Sequence, residues 1–171
     1  MKSWLAPLCV AAAFAVTSHL AIIYSAPDLI MGRAMAMIEG RGAQLHQFFL
    51  AERTTPQTQS VVRPSPDLAY SVCLFDLDEA SQGLQVTMAE TQRYSSLSFF
   101  DASTVNFRTI RGDGDAVDVR LLPPGVSSND SEAIIAPTTK GLILIRRLAP
   151  TLADYRNVVE IAADDACDPL S

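Results

Sequence analysis

The chain has 171 residues, 49% of them hydrophobic, and a formal net charge of -6. Its length suits one domain, or one domain with an appendage. The acidic balance excludes nucleic acid as an expected partner, because phosphate binding needs clustered Lys and Arg, and it equally disfavours a basic patch on anionic lipid.

An uncharged apolar segment stands at the start of the chain, from Trp4 to Tyr24. It has the length of a helix that spans a ~30 Å hydrocarbon core, and aromatic rings stand at both ends, where they favour the membrane interface. The alternative is a cleaved signal peptide, whose apolar region normally runs ~7–15 residues. Cleavage after Ala26 would place Tyr24 where a small residue is needed, so we predict an uncleaved anchor over residues 1–26.

The charges that flank this segment predict its orientation. Lys2 precedes the segment, whereas Asp28 follows it before the next basic residue, Arg33. The positive-inside rule then places the N-terminus in the cytoplasm and the remaining chain outside. The reversed topology, a cytosolic domain tethered to the inner leaflet, is the alternative.

Residues 27–60 are predicted to form a helical stalk and a linker. Pro27–Ile38 reads as a helix that begins with proline and closes at the glycine shortly after it. Its methionine-rich side suits the bilayer, a partner or the domain's own sheet. A second short helix is expected over Gln44–Ala51, where His46 lacks the further His or Cys that a metal would need, and residues 54–60 have the composition of a linker.

Residues 61–171 are predicted to form a mainly β domain. Short runs of strand composition alternate with turns rich in Gly, Pro and Asp, a spacing typical of an antiparallel, jelly-roll-like β-sandwich or of a barrel. A C-terminal helix follows, with Thr151 and Asp154 in a capping-box pattern, and the polar tail Asp164–Ser171 is expected to fray. The predicted strands are Tyr70–Leu77, Gly83–Met88, Tyr94–Phe100, Val105–Arg111, Val117–Leu122, Glu132–Ile135 and Gly141–Leu148.

Three cysteines are present, and none stands in a CxxC or Cys/His array that would indicate zinc. Cys9 lies in the apolar N-terminal segment, Cys73 in a predicted strand and Cys167 near the C-terminus. If the domain is exported, Cys73 and Cys167 are candidates for a disulfide. The alternative is a buried thiol at Cys73 and a free one at Cys167, because sequence does not supply the Cα separation that a bridge requires.

Motifs that would carry chemistry are missing. Asp113, Asp115 and Asp118 suggest a calcium loop, but Asp118 and Pro124 occupy the positions where an EF-hand needs Gly and Glu. A Gly/Asp hairpin turn explains this composition without metal. The sequence also contains no GxSxG, Walker or GxGxxG pattern, so we expect no cofactor and no metal and lean against an enzyme.

A series of residues along the β domain follows a family pattern that begins with Arg-x-x-x-Asp-x-x-Tyr-Ser before a strand. In order, the matching positions are Arg63, Asp67, Tyr70, Ser71, Tyr94, Phe100, Asp101, Asn106, Phe107, the turn Gly112–Asp118, Pro137, Thr138 and Arg146 or Arg147. With them, the segment from Val61 to Ala162 resembles the bacterial family of domain of unknown function 1254. Ser95 and Thr139 depart from the family, which usually has Trp and Asn there.

This resemblance implies a fold and a location, since the family has no established activity. Longer members carry a second domain, domain of unknown function 1214, which this chain is too short to contain. The resemblance therefore implies that the second domain is a separate protein and a possible partner. Together with the predicted anchor, it implies a bacterial inner-membrane protein with its domain in the periplasm.

Two hypotheses about function follow. In the first, the domain is a non-catalytic interaction module that pairs with a separate second-domain protein. In the alternative, it binds a small molecule or acts as an enzyme through polar side chains at the strand ends. An architectural role competes for the same side chains, which would then pair with one another, pack as aromatics or bond to turn backbone. The candidate residues are Arg63, Asp67, Tyr70, Tyr94, Asp101, Asn106 and Thr138.

Overall fold

The structure is a computed structural model that describes residues 4–55, 64–128, 130 and 132–170. The described residues form a long N-terminal helix, a set of short strands and a C-terminal helix. In chain order these are α1 (Leu5–Glu39), β1 (Phe48–Leu50), β2 (Leu68–Asp76), β3 (Leu84–Met88), β4 (Ser95–Asp101), β5 (Asn106–Arg111), β6 (Val117–Leu122), β7 (Ala133–Ile135), β8 (Lys140–Leu148), α2 (Leu152–Ile161) and β9 (Ala166–Pro169).

The strands form two sheets. Among the described residues, sheet A has the order β1-β2-β8-β4-β5 and sheet B the order β7-β6-β3-β9. Pairing is antiparallel throughout sheet A, whereas β6 and β7 of sheet B run parallel. The prediction of a mainly β domain with a C-terminal helix is therefore confirmed.

Both sheets contribute side chains to one hydrophobic core. Phe75 of β2 and Phe99 of β4 lie in the same buried cluster as Leu84 of β3 and Leu121 of β6. Each fully buried side chain of this size contributes roughly 1.5–3 kcal/mol. The packing is tight enough that a Cβ at Gly141 would lie 2.6 Å from the Phe75 ring, so that position requires glycine.

The helix α1 is continuous through Pro27, where the sequence predicted a separate helix to begin. A proline inside a helix removes one backbone bond, to the carbonyl four residues earlier, at a cost of about 3 kcal/mol. The long runs on both sides of Pro27 keep their other backbone bonds, and these maintain the helix across that single loss. It ends at Glu39, one residue beyond the predicted end at Ile38, and the predicted glycine closes it, with the Gly40 amide donating to the Ala36 carbonyl.

The two halves of α1 have different surroundings. In the second half Met31 is buried, and Met35 and Ile38 pack with Val72 and Leu74 on the outer face of sheet A. The stalk therefore packs on the domain's own sheet, which was one of its three predicted positions. The first half is apolar and exposed all round, and by length and composition α1 qualifies as a helix that crosses a membrane or as a signal sequence.

The prediction of a second short helix over Gln44–Ala51 is wrong. Phe48–Leu50 forms β1, which pairs with Ser71–Cys73 of β2. A free strand edge and the strand preference of adjacent phenylalanines outweigh a weak local helical pattern. His46 adopts a positive φ of 56°, and its Nε2 accepts a hydrogen bond from the Asp76 amide at 3.1 Å.

The expectation that the C-terminal tail frays is also wrong. Ala166–Pro169 forms β9, which pairs with β3, and Cys167 lies in the shared core. The predicted start of α2, by contrast, is correct. The Asp154 amide donates to Thr151 Oγ1 and the Thr151 amide donates to Asp154 Oδ2, each at 3.1 Å, so the predicted capping box is confirmed.

Candidate functional site

The predicted polar residues do not meet at one place. Asp101 pairs with Gly141 at the start of β8, whereas Tyr70 pairs with Arg146 near its end. Five residues of a strand separate these positions, a distance of about 17 Å. Asn106 and Thr138 lie toward the Asp101 end, and Asp67 and Tyr94 lie toward the Tyr70 end. The predicted Arg63 lies outside the described residues.

At the first end, polar side chains bond to backbone. Asp101 Oδ1 accepts from the amides of Ser103 and Val105 at 2.9 and 2.8 Å. Thr138 Oγ1 accepts from the Ala102 amide at 3.0 Å and donates to the Lys140 carbonyl at 2.8 Å. These bonds fix the turn between β4 and β5, whose Ser103 hydroxyl donates to Asp28 of α1 at 2.6 Å. The turn therefore contacts α1 and helps to hold this helix against the domain.

The opposite end of sheet A fixes the chain that leads into β2. The Ser65 amide donates to the Tyr70 hydroxyl at 2.8 Å, and the Ala149 amide donates to the Asp67 carbonyl at 2.8 Å. Here the Tyr70 hydroxyl bonds to backbone, whereas Asp67 contributes its main-chain carbonyl. Their described contacts are those of an architectural site.

A row of polar side chains crosses the outer face of sheet A. Arg146 donates to the Ser98 hydroxyl at 3.0 Å, and Ser98 and Thr109 share a hydrogen bond of 3.0 Å. Asn106 continues the row through Thr109, at 3.0 Å. The family pattern named Asn106 and, as alternatives, Arg146 or Arg147, but not Ser98 and Thr109, because only strand pairing brings β4 and β5 together. The row links three neighbouring strands.

A shallow cleft of about 440 Å³ lies beside this row, between residues 91–94 and 111–114. The Tyr94 hydroxyl donates to Ser96 at 3.3 Å, and the Arg111 guanidinium lies 5.5 Å from the centre of the Tyr94 ring. Such a cation over an aromatic face is attracted by the ring. Tyr94, a predicted site residue, therefore interacts with Ser96 and Arg111, which were not predicted as site residues.

A buried ion pair lies on the inner face, where no sequence pattern indicated it. The guanidinium of Arg147 and the carboxylate of Asp165, both almost completely buried, meet through two hydrogen bonds of 2.7 and 2.6 Å. The Ala89 amide adds a third bond to the carboxylate, at 3.0 Å. Asp165 precedes β9, so the pair anchors the C-terminal tail to β8.

A disulfide holds the same tail. It joins Cys73 of β2 to Cys167 of β9, with an S–S distance of 2.08 Å and a Cα separation of 6.6 Å. Both residues are buried in the shared core, and the bond links sheet A to sheet B. Cys9 is free and exposed on α1. We call this side of the domain, formed by β1, β2 and β9, the closed edge.

The other side of the domain, formed by β5, β6 and β7, is the open edge. Among the described residues β5 pairs only with β4, and β7 only with β6. Between them runs a groove of about 790 Å³. Half-buried apolar side chains that pack on the shared core form its floor, and charged side chains surround it. The floor comprises Phe107, Ile110, Val117 and Ile134, and the rim comprises Asp113, Asp115, Asp118, Glu132, Arg108 and Arg111.

A second buried carboxylate in the described part of the chain also has a charged partner. Asp76 at the end of β2 lies 2.7 Å from the Lys140 ammonium. Burial alone would raise the pKa of Asp76, but Lys140 and the Asp78 amide hold that pKa below its ordinary value. No group of three or more potential metal ligands comes together in the described residues. The lowered pKa keeps Asp76 ionised, and its ion pair with Lys140 links the end of β2 to the start of β8.

Comparisons with known proteins give a family and a fold. Residues 45–169 match the family described as protein of unknown function DUF1254. The VPA0106 protein of Vibrio parahaemolyticus superposes with a TM-score of 0.62 at 10% identity, over 85% of this chain and 35% of that one. An uncharacterised protein of Burkholderia cenocepacia gives a TM-score of 0.46 at 16% identity, over 78% and 38%. The chain thus spans little more than a third of either protein, and no curated protein matches its sequence.

Proposed function

The chain belongs to the DUF1254 family, and we propose that it is a single-pass inner-membrane protein that displays a periplasmic β-sandwich as a non-catalytic interaction module. In this proposal its partner is a separate protein that carries the second domain of the longer family members.

The observation that carries the proposal is the contrast between the halves of α1. Trp4, Phe14 and Tyr24 are 74%, 73% and 77% exposed, whereas Met31 is 5% exposed against the domain. Water solvates an apolar helical surface poorly, and a bilayer covers such a surface on all sides. The docked half then holds the domain close to the membrane.

Two features support the location and the architecture. Disulfides persist in oxidising compartments such as the bacterial periplasm, and Cys73 and Cys167 form one across the core. Inward-facing residues of both sheets share one buried cluster, an arrangement expected when two sheets pack face to face. The exported β-sandwich accounts for both features.

Other features support a module that binds rather than catalyses. Asp101, Thr138 and Tyr70 bond to backbone amides, so these groups are engaged in holding turns. The Vibrio parahaemolyticus protein continues well beyond the part that this chain matches. In the proposed arrangement a separate protein would supply the counterpart of that additional part. The two chains together would then correspond to the one longer protein.

The topology is tested by fusing alkaline phosphatase, which is active only after export, behind Ser171. We expect an active fusion, and an inactive one when residues 4–24 are deleted from the same fusion protein. An inactive full-length fusion would overturn the periplasmic location.

The partner is tested by purifying the full chain through a C-terminal tag from membranes in a mild detergent. We expect one protein of the second-domain type to co-purify in stoichiometric amount. Recovery of the chain alone with a tightly bound small molecule would instead favour a ligand-binding domain.

A further inference from the structure

We propose that the groove at the open edge is where the partner docks, and that it takes an extended partner segment whose apolar side chains are flanked by Lys or Arg. This inference rests on the proposed function, because it names the surface and the chemistry through which that pairing occurs.

The groove floor is half of a hydrophobic contact. Phe107 packs against Phe99 of the core, with ring centroids 6.1 Å apart, yet it remains partly exposed on its other side. Ile110, Val117 and Ile134 likewise pack against the core and remain partly exposed. The floor thus spans the edges of both sheets, so apolar side chains inserted there would contact β5 and β6 together. Apolar floors of this kind with charged rims are typical of protein interaction surfaces.

The rim selects the charge of the occupant. Four carboxylates stand on it, against the two guanidinium groups of Arg108 and Arg111. Arg111 lies over the Tyr94 ring, and Asp118 accepts a hydrogen bond from Thr87. In the described part of the chain, the side chains of Asp113, Asp115 and Glu132 form no ion pair. A cationic segment would supply the missing counter-charges, whereas nucleic acid or anionic lipid would be repelled.

The backbone at this edge favours an extended occupant. An edge strand presents unpaired N–H and C=O groups, to which an extended peptide can bond while alternate side chains enter a groove. The register of β4 and β5 shifts at Phe99 and Phe100, so the regular part of the β5 edge runs from Arg108 to Arg111. This short stretch limits the backbone pairing and leaves most of the specificity to the floor and the rim.

The test uses the full-length protein in its own membranes, with the photo-crosslinking amino acid p-benzoylphenylalanine in place of Ile135. Ile135 lines the groove and is 44% exposed; Val159 on α2, 46% exposed and outside the groove, is the matched control position. We expect a single protein adduct at Ile135, at least about tenfold above the control, whose captured peptide is apolar with flanking Lys or Arg. Equal yields at both positions, an adduct with a second copy of this chain, or an adduct with lipid would overturn the inference.

Charge reversal tests the role of the rim. We expect the double variant Asp113→Lys, Asp115→Lys to lower the adduct yield at Ile135 by about tenfold, since like charges at an interface are unfavourable. The control variant Glu160→Lys, Asp164→Lys changes the net charge equally, at exposed positions outside the groove. It should leave the yield within about twofold, because charges beyond a Debye length are screened. Equal losses in both variants would overturn the docking site.

Co-purification separates the two proposals. If a partner co-purifies equally well with the wild type and the Asp113→Lys, Asp115→Lys variant, the groove is the wrong surface while the interaction module stands. If no protein co-purifies with the wild type, the interaction module itself is wrong. We expect the partner with the wild type and its loss from the rim variant.

Discussion

At the closed edge, β9 is tied to its neighbours by a disulfide and by the Arg147–Asp165 pair, both of them buried. The terminal strands of both edges, β1 and β9 as well as β5 and β7, each have one neighbouring strand among the described residues, but at the open edge a groove with an apolar floor lies between the two sheets. The two sheets are therefore joined by buried interactions at one edge and flank an open groove at the other. Interactions at the closed edge are made within the chain and stabilise the fold, whereas the apolar floor at the open edge stays partly exposed. Substitutions at the two edges should accordingly separate stability from binding.

The largest loss of stability is expected from Asp165→Ala. The substitution leaves the Arg147 guanidinium buried without its carboxylate, and an uncompensated buried charge costs about 3–5 kcal/mol. The free energy of unfolding should fall by that amount in urea denaturation of the full chain in detergent, followed by circular dichroism. Asp164→Ala, which removes the adjacent exposed carboxylate, should change it by less than about 0.5 kcal/mol.

Replacing Arg147 and Asp165 together tests whether the unpaired buried charge causes this loss. The double variant Arg147→Met, Asp165→Leu should recover most of the loss, because apolar residues of similar volume often replace a buried ion pair at little cost. If the double variant is as unstable as Asp165→Ala, the burial of an unpaired charge is not the cause of the loss.

The next largest loss is expected from removal of the disulfide. Cys73 and Cys167 are 94 residues apart, so their bond restricts a long loop in the unfolded chain. The double variant Cys73→Ala, Cys167→Ala should lower the free energy of unfolding by about 2–4 kcal/mol. Cys9→Ala should leave it unchanged. A wild type whose free energy of unfolding is the same after equilibration in urea with and without dithiothreitol, which reduces the bond in the unfolded chain, would contradict the prediction.

Local signals account for the part of the fold that the sequence predicts. Val117–Leu122 forms β6 with the predicted bounds, because its alternating apolar residues lie between clear turn residues. Thr151 and Asp154 form the predicted cap, because all its donors and acceptors lie within one helical turn. Where neighbouring residues alone decide the structure, the pattern was sufficient.

Contacts between distant segments account for the rest. Phe48–Leu50 becomes a strand only because β2 offers an edge, and Ala166–Pro169 becomes one because β3 does. Asp165 has no local pattern that pairs it with Arg147 on β8. The groove likewise forms where β5 and β6 of different sheets approach each other, so the sequence named Phe107 and the Asp113–Asp118 turn for other reasons and did not place them in one groove. Of the predicted polar residues, Asp101, Thr138 and Tyr70 bond to turn or loop backbone through their side chains.

A smaller loss is expected where the chain approaches the closed edge. α2 leads into β9, and Thr151 caps its first turn. Thr151→Ala should lower the free energy of unfolding by about 1 kcal/mol, the usual cost of a lost N-cap. Asn157→Ala, at an exposed position of the same helix, should change it by no more than about 0.5 kcal/mol. Equal effects of the two variants would show that the cap does not hold this helix.

The smallest effect on stability is expected at the open edge, from Ile135→Thr on β7. The side chain is 44% exposed and threonine keeps the branched shape that strands favour, so the free energy of unfolding should change by less than about 0.5 kcal/mol. The same substitution at Ile145, fully buried on β8, should cost about 1–3 kcal/mol, because it buries a hydroxyl among apolar side chains. Recovery of the co-purifying partner should show the reverse order, falling for Ile135→Thr while the folded fraction of Ile145→Thr still retains it. A large loss of stability at Ile135 would mean that the open edge, like the closed one, serves the fold of this chain.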